Sequence, residues 1–566
     1  MSDNFSSYPS LPVLTARQMR ACDAYTMQTD PDSPSRVLME RAAMAVVRCI
    51  CERYPACTPI RVLCGGGNNG GDGFAAARFL SCGAAGSAYA VSVLYLGHLT
   101  PDGKPDTAHM SAECARQYDM TVSAGTEVQV LSDEASADAW ASALPDDTVL
   151  LDAVFGIGLD RPVTGLTAHL FELLRARDLT AVAVDIPSGI HADTGAVMGA
   201  ALPCAVTVTM QALKPGLLLY PGADLCGRIT AADIGIDVPG GLSTLPPEQQ
   251  TVFRLVGRDE LLRVLPPRAR RTHKGTYGSL ALAVGSRGMA GAAVLAVSAA
   301  LRSGVGLAVC VTEQSNQVIL QSSVPEAVLC LYDETDPGLR GVRARLFRPD
   351  GSPAVDGLVI GCGLGTGERA YSLLASLLDA AAARPSLPVV LDADALNLLS
   401  GSPELWENGL LGCPHKRVII TPHPAEMARL TGLTVPQILS DLPGTALRFA
   451  RGRGVTVVLK DAHTVIASPD GQVYVCAAGN AGMAGGGSGD VLAGVIGSLL
   501  TQNRTRLGND LTVAEAAAAG VLLHALAGDE AARLVGEYGM TASDIVRALP
   551  AVTRGLSDSR TVIGTL

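Results

Sequence analysis

The chain has 566 residues, more than one hydrophobic core organises, so two or more domains are expected. Apolar residues make up 48% and aromatics only 4%, so the interior is mostly Ala, Val and Leu, as suits buried parallel strands under Ala-rich helices. A formal charge of −11 and the lack of a basic stripe argue against nucleic acid as a partner, while loop amides and helix N-termini can still bind a small anion.

The opening MSDNFSSYPS carries neither the basic nor the apolar region of a secretory signal. Helical periodicity runs over Thr15–Thr29 and Ser35–Tyr54. IRVLCGGG is then a short apolar strand running into glycines, and FAAARFLSCG reads as a helix. Strand, Gly-rich turn and helix is the plan of an α/β nucleotide site. YAVSVLYLG, DTVLLDAVFG, LTAVAVDIPSG, LPCAVTVTMQ and GRITAADIG complete a first series of strands. The uncharged span Gly195–Leu213 contains Pro203 and reads as sheet and turn, not as a membrane helix.

From Val238 to Gln250 the text VPGGLSTLPPEQQ has no period, which makes it the linker candidate. Residues 241–252 are taken to divide a domain of 1–240 from one of 253–566. SLALAVGS, LAVCVTE, GLVIGCG, PVVLDAD, RVIITPH and VTVVLKD form a second strand series, with helical segments such as AAVLAVSAALRSG between them. The polar stretch Tyr332–Val355 reads as a surface excursion, and the C-terminal part is helical from about Leu511 to Leu549. The fourteen cysteines form no CxxC or zinc-spaced cluster, so they read as reduced thiols of a cytoplasmic protein.

Two loops carry the chemistry. In CGGGNNGGDGF, Cys64–Phe74, the glycines can take φ > 0 and open backbone amides to a ligand. Asn68 and Asn69 add carbonyl oxygens suited to a hard cation, and Asp72 stands where a helix begins, as cap or ligand contact. Asp152, in DAVFGIGLDRP, and Asp185 with Ser188, in VDIPSGI, put carboxylates at strand ends beside further turns, where doubly wound sheets bind ligands. Lys214 falls on a turn, where a phosphate contact and solvent are both open to it. In the second loop, NAGMAGGGSGDVLAG, Asp490 follows GGGSG directly before an apolar helix.

GGGNNGGDG, DAVFGIGL, VDIPSG and TMQALKPG resemble the N-terminal domain of bacterial NAD(P)H-hydrate epimerases over roughly residues 14–237. These Rossmann-like enzymes interconvert the two C6 epimers of hydrated NAD(P)H and bind potassium. The resemblance implies ligand contacts at Asn68, Asn69, Gly70, Gly71, Asp72, Gly156, Ile157, Gly158, Leu159, Asp160, Arg161, Pro162 and Asp185. It implies potassium at Asn69, Asp152 and Ser188, and Asp185 is the choice for the proton-moving carboxylate.

AGGGSGDVLAG is similar to the anion-hole loop of ribokinase-like kinases. With HKGTYGSLALAVGS, IGCGLG, DADALN, TPHPAEMARL and GMTASDIVRALP, it resembles ADP-dependent (S)-NAD(P)H-hydrate dehydratases over about residues 253–560. The resemblance places hydrated cofactor near Ala292, Gly363, His423 and Asp490, with Asp490 as base. It places adenine nucleotide at Lys460, Asp461, Ala462, His463, Thr464 and Gly489. The family segment usually reads Lys-Gly-Ala-x-Thr, and here Asp461 replaces its glycine. The implied function is repair: epimerisation of the R and S hydrates, then dehydration of S with ADP and Mg²⁺ to NAD(P)H, AMP and phosphate. Small-molecule partners and a homo-oligomeric state are expected. A ribokinase-like small-molecule kinase fused to a nucleotide-binding domain is the alternative, and it predicts a stable phosphorylated product.

Overall fold

The computed structural model describes residues 12–84, 86, 88–333, 339–348, 350, 353–413, 416–506 and 511–561. It separates into two units, Pro12–Val252 and Phe253–Leu566.

The first unit holds strands β1 (Ile60–Cys64), β2 (Val91–Tyr95), β3 (Glu127–Val130), β4 (Val149–Ala153), β5 (Thr180–Val184), β6 (Val206–Met210) and β7 (Arg228–Ala232). Their order is β3-β2-β1-β4-β5-β6-β7, and every neighbouring pair is parallel. This is a Rossmann-like sheet whose order reverses between β1 and β4, the place where such sheets bind ligands. The pleat divides β1: Ile60, Val62 and Cys64 enter the core on one face, Leu63 the core on the other. Every position in β4 and β6 is buried, Asp152, Thr207 and Thr209 included, so both strands are covered on both faces. Helices α1 (Ala16–Thr29), α2 (Ser35–Arg53) and α3 (Asn68–Ser81) reach the carboxyl edge of this sheet, and α4 (Ala112–Ser123) packs on α3.

The first glycine loop differs from its expected geometry. None of Gly65, Gly66, Gly67, Gly70, Gly71 and Gly73 sits at positive φ. Their value is closeness: a Cβ on Gly65 would lie 2.1 Å from Val154 O, and one on Gly70 1.9 Å from Gly65 O. At Gly73 it would meet Ala153 Cβ at 2.6 Å, so α3 is pressed against β1 and β4 as no larger residue allows. The helix also starts earlier than its apolar text suggests. Gly67 is the N-cap, and Asp72 lies inside α3, where it caps nothing.

The linker candidate is likewise ordered. Val238–Ser243 is a short helix, and a Cβ on Gly241 would lie 2.3 Å from Cys22 Cα of α1. Gln18 Nε2 donates to Gln249 O and Thr251 O, each at 2.9 Å, so the stretch is tied to α1. Gly241 serves a close approach here, not freedom.

The second unit holds β8 (Phe253–Leu255), β9 (Ser279–Ala283), β10 (Leu307–Glu313), β11 (Val328–Tyr332), β12 (Gly357–Ile360), β13 (Val389–Leu391), β14 (Val418–Ile420), β15 (Thr456–Leu459), β16 (Thr464–Ala467) and β17 (Val473–Cys476). The order is β8-β17-β16-β15-β14-β13-β12-β9-β10-β11, parallel except where β16 pairs antiparallel with β15 and β17. This is the mainly parallel sheet of a ribokinase-like domain. Helices α5 (Ala290–Arg302), α6 (Pro424–Thr431), α7 (Ser488–Arg506), α8 (Val513–Val535) and α9 (Ala542–Thr561) include its site-bearing elements. Small residues let α7 lie deep: a Cβ on Gly494 would reach Ala296 O of α5 at 2.2 Å, and one on Gly497 would reach Val359 of β12 at 2.4 Å. The expected surface excursion contains a short helix, Arg340–Leu346, that buries Val342 and Leu346, while residues 334–338, 349, 351 and 352 lie outside the described residues. Among the described residues no helix is long and apolar enough to cross a membrane.

Candidate functional sites

At the carboxyl edge of the first sheet lies a cavity of about 750 Å³. Asn68, Asn69 and Asp72 of α3 line it, with Gly156, Ile157, Gly158, Leu159, Asp160 and Arg161 from the turn after β4, and Asp185 after β5. Of the residues singled out from the sequence, Gly70 and Gly71 are buried in helix packing instead, and exposed Pro162 lies off the wall. Asp185 has φ +66°, a strained region for a residue with a side chain, and hydrogen bonds hold it there. Its Oδ1 accepts from Met210 N at 3.0 Å, from Thr209 Oγ1 at 3.2 Å and from Lys214 Nζ. Lys214 is neither solvated nor free for a phosphate, because its side chain is only 1% exposed and ion-paired to Asp185. It also donates to Thr209 Oγ1 at 2.9 Å and Met210 O at 3.0 Å. Burial pushes Asp72 well above the usual carboxylate range, aided by the charges of Asp185 and Asp23 and opposed by Lys214. Asp23 of α1 also lines the cavity, and burial raises it to about 6. Sequence reading missed it: one aspartate on an amphipathic helix looks like a solvated face.

Behind this wall, Asp152, Ser188 and Asn69 come together around Phe155. Asp152 is 0% exposed, accepting from Ser188 Oγ at 2.5 Å, Ser188 N at 2.7 Å and Val154 N at 3.4 Å. Ser188 Oγ approaches Phe155 O at 3.2 Å, and Asn69 Nδ2 donates to the same carbonyl at 3.0 Å. Burial raises Asp152 to about 6, with only neutral donors from Ser188 and Val154 pulling against it. Asp152 is a buried carboxylate with no ion-pair partner among the described residues, and with the Ser188 hydroxyl and the Phe155 carbonyl it offers oxygens that could hold a hard cation. The Phe155 carbonyl is a donor that side-chain motifs cannot reveal.

The second site surrounds the N-terminus of α7. Gly487 precedes it at φ +92°, and Asp490 is in its first turn. Burial, with the charge of Asp392, raises Asp490 to about 6. Asp392, at the end of β13, is 1% exposed; it accepts from Thr421 Oγ1 at 2.6 Å and from Lys460 Nζ at 2.9 Å. Ala393 beside it has φ +49°, strain next to a strand-end aspartate as at Asp185. Cys362 Sγ and carboxylate oxygens of Asp392 and Asp490 lie within 4.8 Å of one another, although Cys362 had no role from sequence. Burial and both aspartates keep that thiol neutral. A Cβ on Gly489 would lie 3.5 Å from Lys460 Nζ and 3.7 Å from Asp392 Oδ2, so Gly489 and Lys460 face one space.

Other residues singled out take varied places. Ala292 and Gly363 touch, since a Cβ on Gly363 would lie 2.8 Å from Ala292 Cβ. His423 caps α6, its Nδ1 accepting from Ala425 N at 3.1 Å and Glu426 N at 3.4 Å. Asp461 and Ala462 are exposed and His463 half-buried in the turn between β15 and β16, and Thr464 opens β16. His524 of α8, unnoticed in the sequence, is buried with Nε2 3.4 Å from Ser488 Oγ, and burial lowers it to about 4.

Fold and sites define a two-domain α/β protein with a separate candidate site, built around strand-end aspartates, in each domain. A family model described as NAD(P)H-hydrate dehydratase matches residues 280–551, and one described as YjeF-related protein N-terminus matches residues 35–216. The bifunctional NAD(P)H-hydrate repair enzyme Nnr of Moorella thermoacetica is 37% identical over 93% of this chain and 93% of its own. The ADP-dependent (S)-NAD(P)H-hydrate dehydratase of Neisseria meningitidis is 43% identical over 50% of this chain and 88% of its own. The crystal structure of the Bacillus subtilis ADP/ATP-dependent NAD(P)H-hydrate dehydratase with ATP/Mg²⁺ covers 53% of this chain and 98% of its own, at 29% identity and TM-score 0.45. The chain belongs to the family of bifunctional NAD(P)H-hydrate repair enzymes.

Proposed function

We propose that the first unit epimerises hydrated NAD(P)H at C6 and that the second dehydrates the S epimer at the expense of ADP. The observation that carries this reading is one chain with two strand-edge aspartate sites, each matching its own half of the family. In the first unit the cavity binds the hydrate along α3, the turn Gly156–Arg161 and Asp185. C6 bears a hydroxyl beside a ring nitrogen whose lone pair can stabilise a planar cation, so placed carboxyls suffice to exchange the faces. Asn69, Asp152, Ser188 and Phe155 O would hold potassium, which supplies the positive charge the buried Asp152 lacks and so fixes the turn after β4.

In the second unit, Asp490 removes the proton of the C6 hydroxyl, whose oxygen attacks the terminal phosphorus of ADP; AMP leaves. The new phosphate ester departs from C6 under push from the ring nitrogen, and loss of the C5 proton restores the dihydronicotinamide. Burial suits Asp490 to this task, because a carboxylate near 6 is more basic than an ordinary one yet ionised at neutral pH. Amides before α7 face the transferring phosphoryl group, with Lys460 and Gly489 on the nucleotide side. Magnesium would ride on the nucleotide phosphates and neutralise their charge; nearby Asp392 and Asp490 suit a hard ion, the neutral Cys362 thiol does not. The test is to supply mixed hydrate epimers with ADP, magnesium and potassium and to follow dihydronicotinamide absorbance. Complete recovery supports both activities, recovery of the S fraction alone supports the dehydratase only, and a stable phosphorylated product refutes the lyase reading.

A further inference from the structure

We propose that Asp72 is the general acid of the epimerisation and that Asp23, on a helix outside both glycine-loop motifs, holds its proton in place; this rests on the epimerase reading above. Four carboxyls, Asp23, Asp72, Asp160 and Asp185, line one cavity; Asp160 is exposed, and the other three share a single lysine. An ammonium has three hydrogens. Those of Lys214 are taken by Asp185, Thr209 Oγ1 and Met210 O, leaving none for Asp23 or Asp72. Among the described residues neither of these forms an ion pair. Asp185, by contrast, accepts from an ammonium, a hydroxyl and an amide, a set that suits a carboxylate. Besides this fixed anion–cation pair, the cavity thus holds Asp23 and Asp72 with no ion-pair partner among the described residues, and like charges so placed cannot all ionise cheaply.

The remaining charges sharpen the assignment. Arg20, Asp160 and Arg161 also line the cavity, and Arg20 Nη2 donates to Ile157 O at 3.1 Å. Cys64 of β1 and Cys114 of α4 feel the Asp72 charge, but burial raises both thiols, Cys114 to about 12, so both stay neutral. Burial raises Asp72 most, the charges of Asp185 and then Asp23 add to it, and Lys214 opposes them. Asp23, raised only to about 6, is largely ionised at neutral pH and lends Asp72 its charge.

The step balances without a co-reactant. The Asp72 proton passes to the C6 hydroxyl oxygen as the C–O bond breaks. The bonding pair leaves with the oxygen as water, and the ring nitrogen lone pair forms the C=N bond of a planar cation. Water adds to the opposite face, its surplus proton goes to the Asp185 carboxylate, and the nitrogen recovers its lone pair. Proton return from Asp185 to Asp72 closes the cycle.

The test follows conversion of pure R hydrate to S by the full-length protein across pH, with folding checked by thermal unfolding. Asp72→Asn should lower kcat roughly a hundredfold to ten-thousandfold with KM changed far less. Asp23→Asn removes a negative neighbour and should move the alkaline limb of kcat to lower pH by about one unit, and Asp23→Glu should restore it. An Asp23→Asn profile that falls evenly with no moved limb, or an Asp72→Asn protein within about threefold of wild type, overturns the proposal. So does a wild-type profile with no alkaline limb, a measurement that needs no variant. A wild type that does not interconvert the hydrates ends the epimerase reading as well; an active wild type with unaffected variants ends this inference alone.

Discussion

The two glycine loops have similar composition but use it differently. In the first, glycine removes Cβ atoms that would collide with Val154, Gly65 and Ala153, and none of its glycines is at positive φ. In the second, Gly487 takes φ +92°, and a Cβ on Gly486 would meet nothing within 4 Å. One loop presses a helix onto a sheet so that its first turn reaches a cavity; the other keeps backbone open where the proposed reaction would pass a phosphoryl group. The buried ion pairs differ in the same sense. The Lys214 side chain is 1% exposed and saturated by protein acceptors, whereas Lys460 is 20% exposed beside Gly489. The first lysine is scaffold, and the second can still meet a ligand.

The largest effect should come from Asp490→Asn. The second site loses its base, so ADP-dependent recovery of NADH from pure S hydrate should fall roughly a hundredfold to ten-thousandfold while R-to-S conversion continues. Assaying both reactions on one preparation checks it, and retention of more than about half the dehydratase rate would remove Asp490 from that role.

Breaking each ion pair tests the scaffold comparison. Lys214→Met leaves Asp185 buried without its cation, a change that typically costs about 3–5 kcal/mol. Lys460→Met likewise strands a carboxylate, Asp392, whose side chain is 2% exposed, so it too should cost about 3–5 kcal/mol. The two should differ in their response to ligand: ADP should raise the urea midpoint of Lys214→Met as it does that of the wild type, and that of Lys460→Met much less. Equal stabilisation by ADP would mean that both lysines are structural.

Much of the strand pattern was legible because buried parallel strands write continuous apolar text. All eleven quoted strand segments after the first glycine loop contain a strand of the structure. Glu127–Val130 escaped because it is a partly exposed edge with a charged residue and a glutamine. Thr464–Ala467 escaped because it was absorbed into the nucleotide segment. Asp185, Asp152 and Ser188 could be picked out because each stands in a strand-end motif. Asp23 and His524 could not, since each is one polar residue on a helix whose partner lies far away in sequence. Asp392 stood in a quoted motif but gained meaning only when Lys460 and Thr421 closed on it.

A smaller effect, confined to the first site, is expected at the cation cradle. Asp152→Ala removes the one carboxylate among the Asn69, Asp152, Ser188 and Phe155 groups, so epimerase activity should weaken and lose its response to potassium. Dehydration of pure S hydrate should not change. Titrating potassium chloride against both proteins at constant ionic strength checks this, and equal loss of both activities would point to a folding defect.

The smallest effect should be at Asp461, where this chain departs from the glycine usual in its family. A charge about 6 Å from a nucleotide phosphate, at an effective dielectric near 20, would repel it by roughly 3 kcal/mol before screening. Asp461 avoids that penalty if it faces water, and its side chain is exposed in the turn after β15, whereas Lys460 beside it turns inward to Asp392. Asp461→Gly should therefore leave ADP affinity within about threefold, at low and at high salt alike. Tightening that fades with salt would place the carboxylate against the phosphates, and weakening only in magnesium would place it on the metal. Calorimetric titration of ADP into both proteins at two salt concentrations separates these outcomes, and a shift above about tenfold in either direction would show that Asp461 belongs to the nucleotide site.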